Sequence, residues 1–203
     1  MIPRSRQVAE GGNRPTNTMV MRFAVPLVLV ASVLSAGAAQ AAALPRADRG
    51  HTTVSAQQIS QVPGLQTEVL AAINELRLSK GLSEVRLNSA LSRSAVGHSL
   101  SMAEHGFFSH SGWSGSPFWQ RIKARYKPLP SSHWGVGENM VWASPGLSAG
   151  QAIEMWLASP PHRKNLLAPG WREVGLGAVR ALAAPGVYAG HDVTILTADF
   201  GVR

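Results

Sequence analysis

Apolar residues recur every three or four positions in two long segments of the chain, which is the spacing of one face of an α-helix. The first predicted helix covers residues 65–80 and is closed by Gly81. The second follows Asn88, a preferred N-cap residue, and ends at Gly106. The apolar stripes consist of Val69, Leu70, Ile73 and Leu76 in the first helix and of Leu91, Ala95, His98 and Met102 in the second.

Two shorter helices and several extended segments follow. Ser116 and Pro117 predict the start of a third helix, because serine and proline are favoured at the N-cap and at the first helical position. A fourth helix is predicted from Ser148 until the pair Pro160-Pro161 ends it. Helices followed by antiparallel strands favour an α+β class, with the helices packed on a small sheet. The predicted strands are short apolar runs at 138–142, 174–180 and 193–200.

The N-terminal part has the pattern of a secretory signal peptide. Residues 23–34 form an uncharged apolar run of 12 residues, which follows Arg22 and precedes an A-x-A sequence at residues 39–41. We expect a Sec-type signal peptide over residues 1–41, with cleavage after Ala41 or one of the two alanines that follow. A permanent N-terminal anchor is the alternative, but the run is shorter than the roughly 17 residues that a spanning helix needs. The predicted location is secreted or periplasmic.

The rest of the chain divides into a linker and one domain. The polar stretch before Met19 and Met21 is unlike a signal peptide, so translation is expected to start at one of these methionines. Residues 42–63 contain few large apolar side chains and predict a flexible linker. Residues 64–203 have the length of a single domain, which we expect to be a monomer.

Charge and cysteine content exclude several kinds of site. The net charge of +8 falls to +5 without residues 1–41, because that segment has four arginines and one glutamate. The largest remaining basic cluster alternates along a short helix, so its members do not share one face, and we expect a solvated surface rather than a nucleic-acid groove. The absence of cysteine excludes disulfides, thiolate metal ligands and a thiol nucleophile. The basic cluster consists of Arg121, Lys123, Arg125 and Lys127.

Five short motifs follow one another from residue 107 to the C-terminal end. They are Phe107-Phe108-Ser109-His110, Gly137-Glu138-Asn139, Trp156-Leu157-Ala158-Ser159-Pro160-Pro161-His162-Arg163-Lys164-Asn165-Leu166-Leu167, Gly175-Leu176-Gly177 and Thr197-Ala198-Asp199-Phe200-Gly201. Together they resemble the CAP superfamily (cysteine-rich secretory proteins, antigen 5 and pathogenesis-related 1 proteins), and in particular its bacterial extracellular branch of SCP-like domains. The resemblance covers residues 65–201 and implies an α-β-α sandwich with a central antiparallel sheet and a surface cleft.

The resemblance also implies candidate metal ligands. In the wider family two histidines and two glutamates line the cleft and can bind a divalent cation, and His110 and Glu138 match one of each. Ser159 stands where animal and plant members carry the second glutamate, and strand 195–198 has no second histidine. His162 of the bacterial motif is the remaining candidate. The proposed set for a cation such as Zn²⁺ is therefore His110, Glu138 and His162, two imidazoles and one carboxylate being suitable zinc ligands.

Each of these side chains also has a purely structural interpretation. Glu138 could accept backbone N–H bonds within its loop, and His110 could bond a buried carbonyl. His98 lies on an apolar stripe, which favours a packed, hydrogen-bonded core histidine over a ligand. Asp199 is expected to bond a neighbouring loop. The six tryptophans all lie between residues 113 and 171, and Trp156 is expected in the core. Packing of disulfide-free loops is favoured over lining an apolar groove for four others, which are Trp113, Trp119, Trp134 and Trp142.

Two functions follow from these alternatives. The first is an extracellular binding module that holds a lipid, sterol, cell-wall component or protein in the cleft, with or without a divalent cation. The second is a metal-dependent hydrolase in which His110, Glu138 and His162 hold the metal. We favour the first, and assign no catalytic residue under it, because the family's ligand set is incomplete and no dedicated general base is evident. Under the second, Glu138 and His110 are the candidate catalytic residues.

Overall fold

The computed structural model describes residues 58–130 and 133–203. The predicted signal peptide, the alternative start codons and most of the predicted linker lie outside the described residues. Within the described ranges no helix is both long and apolar enough to cross a bilayer.

Five helices and five strands make up the described part of the chain. The helices are α1 (Pro63–Ser79), α2 (Ser89–His105), α3 (Phe118–Arg125), α4 (Ala149–Ala158) and α5 (Pro160–Leu166). The strands are β1 (Ile59–Gln61), β2 (Arg86–Leu87), β3 (Gly135–Ala143), β4 (Glu173–Ala181) and β5 (Val193–Val202).

The strands form one sheet with helices on both faces. Its order is β1-β4-β5-β3, and the short β2 pairs with β4. All pairs are antiparallel except β2 with β4. The apolar residues of α1 and α4 share one core with Val174, Leu176 and Ala178 of β4, whereas α2 packs against the other face of β4 and β5. The predicted α+β class and α-β-α layering are therefore confirmed.

Helix α2 lies directly on the backbone of β4, because two glycines leave room for it. A Cβ atom on Gly175 would stand 2.0 Å from the carbonyl carbon of Leu91, and one on Gly177 would stand 2.3 Å from that of Ala95. The hydroxyl of Ser99 then donates a hydrogen bond of 2.8 Å to the carbonyl oxygen of Gly177. The Gly-x-Gly motif thus sets the distance between helix and sheet, and with it the position of every inward-facing side chain of α2.

The ends of the helices agree with the sequence in most places. Asn88 caps α2 through bonds to the amides of Ala90 and Leu91, and Gly106 ends it in the left-handed conformation. Ser148 and Gln151 form a capping box at α4.

Three details differ from the sequence-based expectation. Helix α3 begins one residue late, with Pro117 at the N-cap and no side-chain cap from Ser116. Pro160-Pro161 ends α4 but also starts α5, because proline is well suited to the first turn of a helix. Strand β1 lies inside segment 42–63, so the sheet extends into the predicted linker.

Buried side chains connect segments that are distant in the chain, which contains no cysteine. Arg77 of α1 is fully buried and donates to the carbonyl oxygens of Leu166 at 2.9 Å, Ala168 at 3.1 Å and Ser83 at 2.9 Å. One guanidinium thereby joins α1 to the segment that follows it and to the end of α5.

The tryptophans contribute further connections of this kind. Indole N–H groups donate from Trp134 to Tyr126, from Trp156 to Met140 and from Trp171 to Asn165, in each case to a backbone carbonyl. Trp156 is buried in the core, as its position in α4 predicts. The predicted packing of loops is thus confirmed for Trp134, whereas Trp113 and Trp119 are 62% and 42% exposed.

The contact between α2 and β4 gives a direct test of this packing. Gly177→Ala should lower the free energy of unfolding by about 3 kcal/mol or more, because the new methyl group would overlap the α2 backbone. Gly97→Ala, in an exposed and open position of the same helix, should instead raise it by up to about 1 kcal/mol. Urea denaturation measures both, and equal effects of the two substitutions would contradict the close approach.

Candidate functional site

The carboxylate of Glu138 is the centre of the candidate site. It lies on β3, and its side chain has 0% exposed surface. One oxygen, Oε1, is 2.7 Å from Nδ1 of His110, and the other, Oε2, accepts a hydrogen bond of 2.5 Å from Nη2 of Arg121. Burial is the largest influence on the pKa of Glu138 and raises it, but the bond from His110 and the charge of Arg121 together hold that pKa below its usual value. The carboxylate is therefore ionised, and each of its two oxygens accepts a hydrogen bond.

Arg121 belongs to this site and not to the exposed basic surface that the sequence predicts. Its side chain is 17% exposed, whereas Lys123, Arg125 and Lys127 are exposed. Nη1 of Arg121 lies 3.3 Å from the hydroxyl of Ser94 and 3.5 Å from Oδ2 of Asp199. The sequence-based interpretation of Arg121 was wrong because α3 turns this one residue of the cluster toward the sheet.

Asp199 forms the inner side of the site. It lies opposite Glu138 in the β3–β5 register, and its side chain has 0% exposed surface. Neither carboxyl oxygen has a hydrogen bond of normal geometry. Burial, followed by the nearby carboxylate of Glu138, raises the pKa of Asp199 well above its usual value. The expected bond from Asp199 to a neighbouring loop is not found among the described residues.

His98 supports the loop that carries His110. Its ring is buried beneath that loop, and Nε2 lies 2.9 Å from the carbonyl oxygen of Ser109. Burial, with a smaller contribution from Arg121, lowers the pKa of His98 to about 4. A packed, hydrogen-bonded histidine is thus confirmed at this position.

The two histidines of the predicted metal set lie at the surface of the site. His110 is 49% exposed, and its ring centroid is 6.3 Å from that of the partly buried His162. Burial, and then the neighbouring His110, lowers the pKa of His162.

The Gly-Glu-Asn motif explains how His162 comes to lie there. The amide of Asn139 donates to the carbonyl oxygen of His162 at 3.0 Å, and Asn165 donates to Asn139 at 3.0 Å. Gly137 leaves space for this contact, since a Cβ atom there would stand 2.3 Å from Oδ1 of Asn165. Glu138 therefore faces the layer of α2 and α3 while its neighbours on β3 anchor α5. Arg163 and Asn165 lie within this helix.

The arrangement does not fit a three-ligand metal centre. Both oxygens of Glu138 are already engaged by Arg121 and His110, which leaves the imidazoles of His110 and His162 as the available ligands. Catalytic zinc sites use three protein ligands. Among residues 58–130 and 133–203, no three His, Asp or Glu side chains are arranged to hold a metal ion.

An apolar pocket of about 260 Å³ adjoins His162. Its wall combines aromatic rings and thioethers with a hydroxyl and an imidazole, and Trp142 lies against Tyr188 at a ring distance of 5.2 Å. Trp142 thus lines a groove, which is the alternative that the sequence left open for this residue. A larger groove of about 670 Å³ runs along the outer side of α2, but it contains no residue of the site. The lining of the smaller pocket consists of Phe108, Met140, Val141, Trp142, Met155, Trp156, Ser159 and His162.

The buried histidine gives a pH-dependent prediction. The unfolded chain binds a proton at His98 as the pH falls through about 6.5, whereas the folded protein resists this until about pH 4. Wild-type protein should therefore lose about 3 kcal/mol more stability than His98→Gln between these two pH values. The raised pKa of Asp199 has the opposite effect, since it favours the folded state as the pH falls. This effect is the same in wild type and His98→Gln, so it cancels when their free energies of unfolding are compared.

Denaturant unfolding at several pH values measures this difference. Parallel stability curves for wild type and His98→Gln would show that the ring is not held neutral by burial.

Comparison with known proteins assigns the domain. Residues 70–189, more than half of the chain, match the family model described as CAP, the cysteine-rich secretory protein family. Over 136 residues the chain is 31% identical to the uncharacterized protein YkwD of Bacillus subtilis, and the match covers 66% of this chain and 49% of that protein. Over 115 residues it is 29% identical to the uncharacterized membrane protein YlbC of the same organism, covering 57% and 32% of the two chains. The chain thus spans half or less of these relatives.

Two solved structures share the fold. An outer surface protein from Borrelia burgdorferi has a TM-score of 0.55 at 18% identity, covering 71% of this chain and 98% of that one. An extracellular protein with an SCP domain from Bacillus anthracis has a TM-score of 0.53 at 24% identity, covering 70% and 41%. Together with the family model, the motifs and the α-β-α layers, this shows that the chain belongs to the CAP family.

Proposed function

We propose that this protein is an extracellular binding module, which holds its ligand in a cleft formed by His110, His162 and the adjoining apolar pocket. The observation that carries the proposal is the immobilised imidazole of His110. Its Nδ1 donates to a buried carboxylate, so that its other nitrogen is free to contact a ligand, and its ring centroid lies 6.3 Å from that of His162, which lines the apolar pocket. A fixed polar group beside an apolar pocket is the usual composition of a small-molecule site.

The proposed location rests on two independent features. The N-terminal sequence has the charge, length and small-residue pattern of a signal peptide. Two of the proteins that share the fold are described as an outer surface protein and as an extracellular protein. We infer that the CAP domain acts outside the cytoplasm.

The lining of the cleft restricts the ligand to molecules with an apolar part and a polar end. Phe108 and Met155 form an exposed apolar rim, and Trp142 and Trp156 form the wall behind it. Ser159 and His162 supply a hydroxyl and an imidazole in the same pocket. A lipid, a sterol, or an apolar side chain of a cell-wall peptide or protein meets this description.

A metal-dependent hydrolase has less support from the geometry. Hydrolysis would need a metal-bound water or an activated nucleophile. His110 makes its one polar contact with Glu138, and no serine hydroxyl in the described ranges bonds to it. We therefore assign the pair of His110 and Glu138 to ligand binding.

The tryptophans of the pocket make binding measurable. Bromine quenches indole fluorescence on contact, so brominated dodecanoate below its micelle concentration should quench Trp142 and Trp156 in a saturable way. Met155→Glu should weaken this binding at least about tenfold, because it places a charge at the apolar rim. Unlabelled dodecanoate, a sterol and a muropeptide are then ranked by their ability to relieve the quenching.

Two controls separate the pocket from other apolar surface. Met155→Leu should bind as wild type does, and so should Leu78→Glu, which adds the same charge at an exposed position of α1 outside the pocket lining. Equal quenching of wild type and Met155→Glu would show that the ligand lies elsewhere. Ester hydrolysis that His110→Ala abolishes without unfolding the protein would favour the hydrolase instead.

A further inference from the structure

We propose that Arg121 is the resident cation of the cleft, with its guanidinium in the place beside Glu138 and Asp199 that a divalent metal ion would have to occupy. This inference concerns the interior of the site and does not depend on which ligand the cleft binds. Its consequence is that a carboxylate-bound metal ion can enter the wild-type site only when Arg121 is removed.

The first step is the pair of acidic side chains on neighbouring strands. Glu138 and Asp199 are directly opposite each other in the β3–β5 register, and each has 0% exposed side chain. Buried carboxyl groups this close require a positive partner or a proton, since desolvation and mutual repulsion both oppose their ionisation. Without a positively charged side chain beside it, such a pair of carboxylates can bind a divalent cation through its oxygens.

The second step is that one guanidinium reaches both carboxyl groups. Nη2 of Arg121 is 2.5 Å from Oε2 of Glu138, and Nη1 is 3.5 Å from Oδ2 of Asp199. Nη1 also donates to the hydroxyl of Ser94 at 3.3 Å. Arginine does not lose its charge under ordinary conditions, so this cation is permanent.

The third step is that the geometry leaves no room for a second cation. Nδ1 of His110 occupies the other oxygen of Glu138, so both oxygens have a donor. A metal ion at this oxygen would have to displace Arg121 from its present position, where the side chain is 17% exposed. The guanidinium would then lose its contacts with both carboxyl groups, which is costly for a largely buried charge.

If Arg121 takes the place of a metal ion, its removal should create a metal-binding site. Removing the guanidinium would free Oε2 of Glu138 and leave Asp199 and the hydroxyl of Ser94 facing the vacated space. Carboxylate and hydroxyl oxygens suit hard cations such as Mn²⁺, which also retain several waters. We therefore expect Arg121→Ala to create Mn²⁺ binding that wild type does not have.

The experiment compares four proteins by thermal unfolding and by electron paramagnetic resonance of free Mn²⁺. They are the wild type, Arg121→Ala, Arg125→Ala and the double variant Arg121→Ala with Asp199→Asn. Arg125 is the matched control, since it lies one helical turn away and is exposed. Arg121→Ala should bind Mn²⁺ at least about tenfold more tightly than wild type and be stabilised by it. Arg125→Ala should behave as wild type, and the double variant should lose the gain.

Two outcomes with folded Arg121→Ala would contradict the inference. Mn²⁺ binding by wild type as tight as by Arg121→Ala would show that the guanidinium does not occupy a cation's place. A folded Arg121→Ala that takes up no Mn²⁺ would show the same. If Arg121→Ala folds neither with nor without Mn²⁺, the variant Arg121→Lys, which keeps a positive charge, is measured instead. A melting temperature of Arg121→Lys that neither Mn²⁺ nor a chelator changes supports the inference. A melting temperature that Mn²⁺ raises overturns it. None of these results depends on whether dodecanoate binds the outer pocket.

Discussion

A carboxylate with no exposed surface, that of Glu138, determines how the cleft of this protein is arranged. Burial of an ionised carboxylate is costly unless charged or polar donors compensate for the lost water. Here the compensation comes from two directions, with His110 on the outer oxygen and Arg121 on the inner one. The outer partner presents an oriented imidazole to solvent, and the inner partner extends the network to Asp199. One buried charge thus connects the surface of the cleft to the middle of the sheet.

The fold places these groups by close backbone contacts and not by covalent bridges. Gly175 and Gly177 allow α2 to lie on β4, which brings Ser94 and His98 of that helix to the site. On the other side of β3, Asn139 holds the first turn of α5 and so fixes the distance between His162 and His110. Neighbouring residues of a strand point to opposite faces of the sheet. The Gly-Glu-Asn sequence therefore places Glu138 beneath His110 on one face and holds α5 through Asn139 on the other.

Periodicity and caps were sufficient to predict the helices and most of their ends, because these are local signals. The sequence implied the α-β-α layers and the cleft residues His110, Glu138 and His162 only through the order of its motifs and their resemblance to the CAP family. It did not predict the role of Arg121 or Asp199, because their significance depends on strand register and on the rotation of α3, which are non-local. Helix α5 was missed for a different reason: Pro160-Pro161 is both a strong stop signal and a favourable start, and the sequence analysis used only the first meaning.

The central claim is that Glu138 orients His110, and the tautomer of that ring tests it most directly. A carboxylate accepts hydrogen bonds only, so the neutral imidazole must carry its proton on Nδ1 and leave Nε2 bare. Long-range ¹H–¹⁵N correlation spectra distinguish the two nitrogens, with the exposed His133 as an internal reference. The account predicts that neutral His110 is the Nδ1-protonated tautomer and reverts to the mixture shown by His133 in Glu138→Ala. A wild-type His110 spectrum with the proton on Nε2, or one indistinguishable from that of His133, would contradict it.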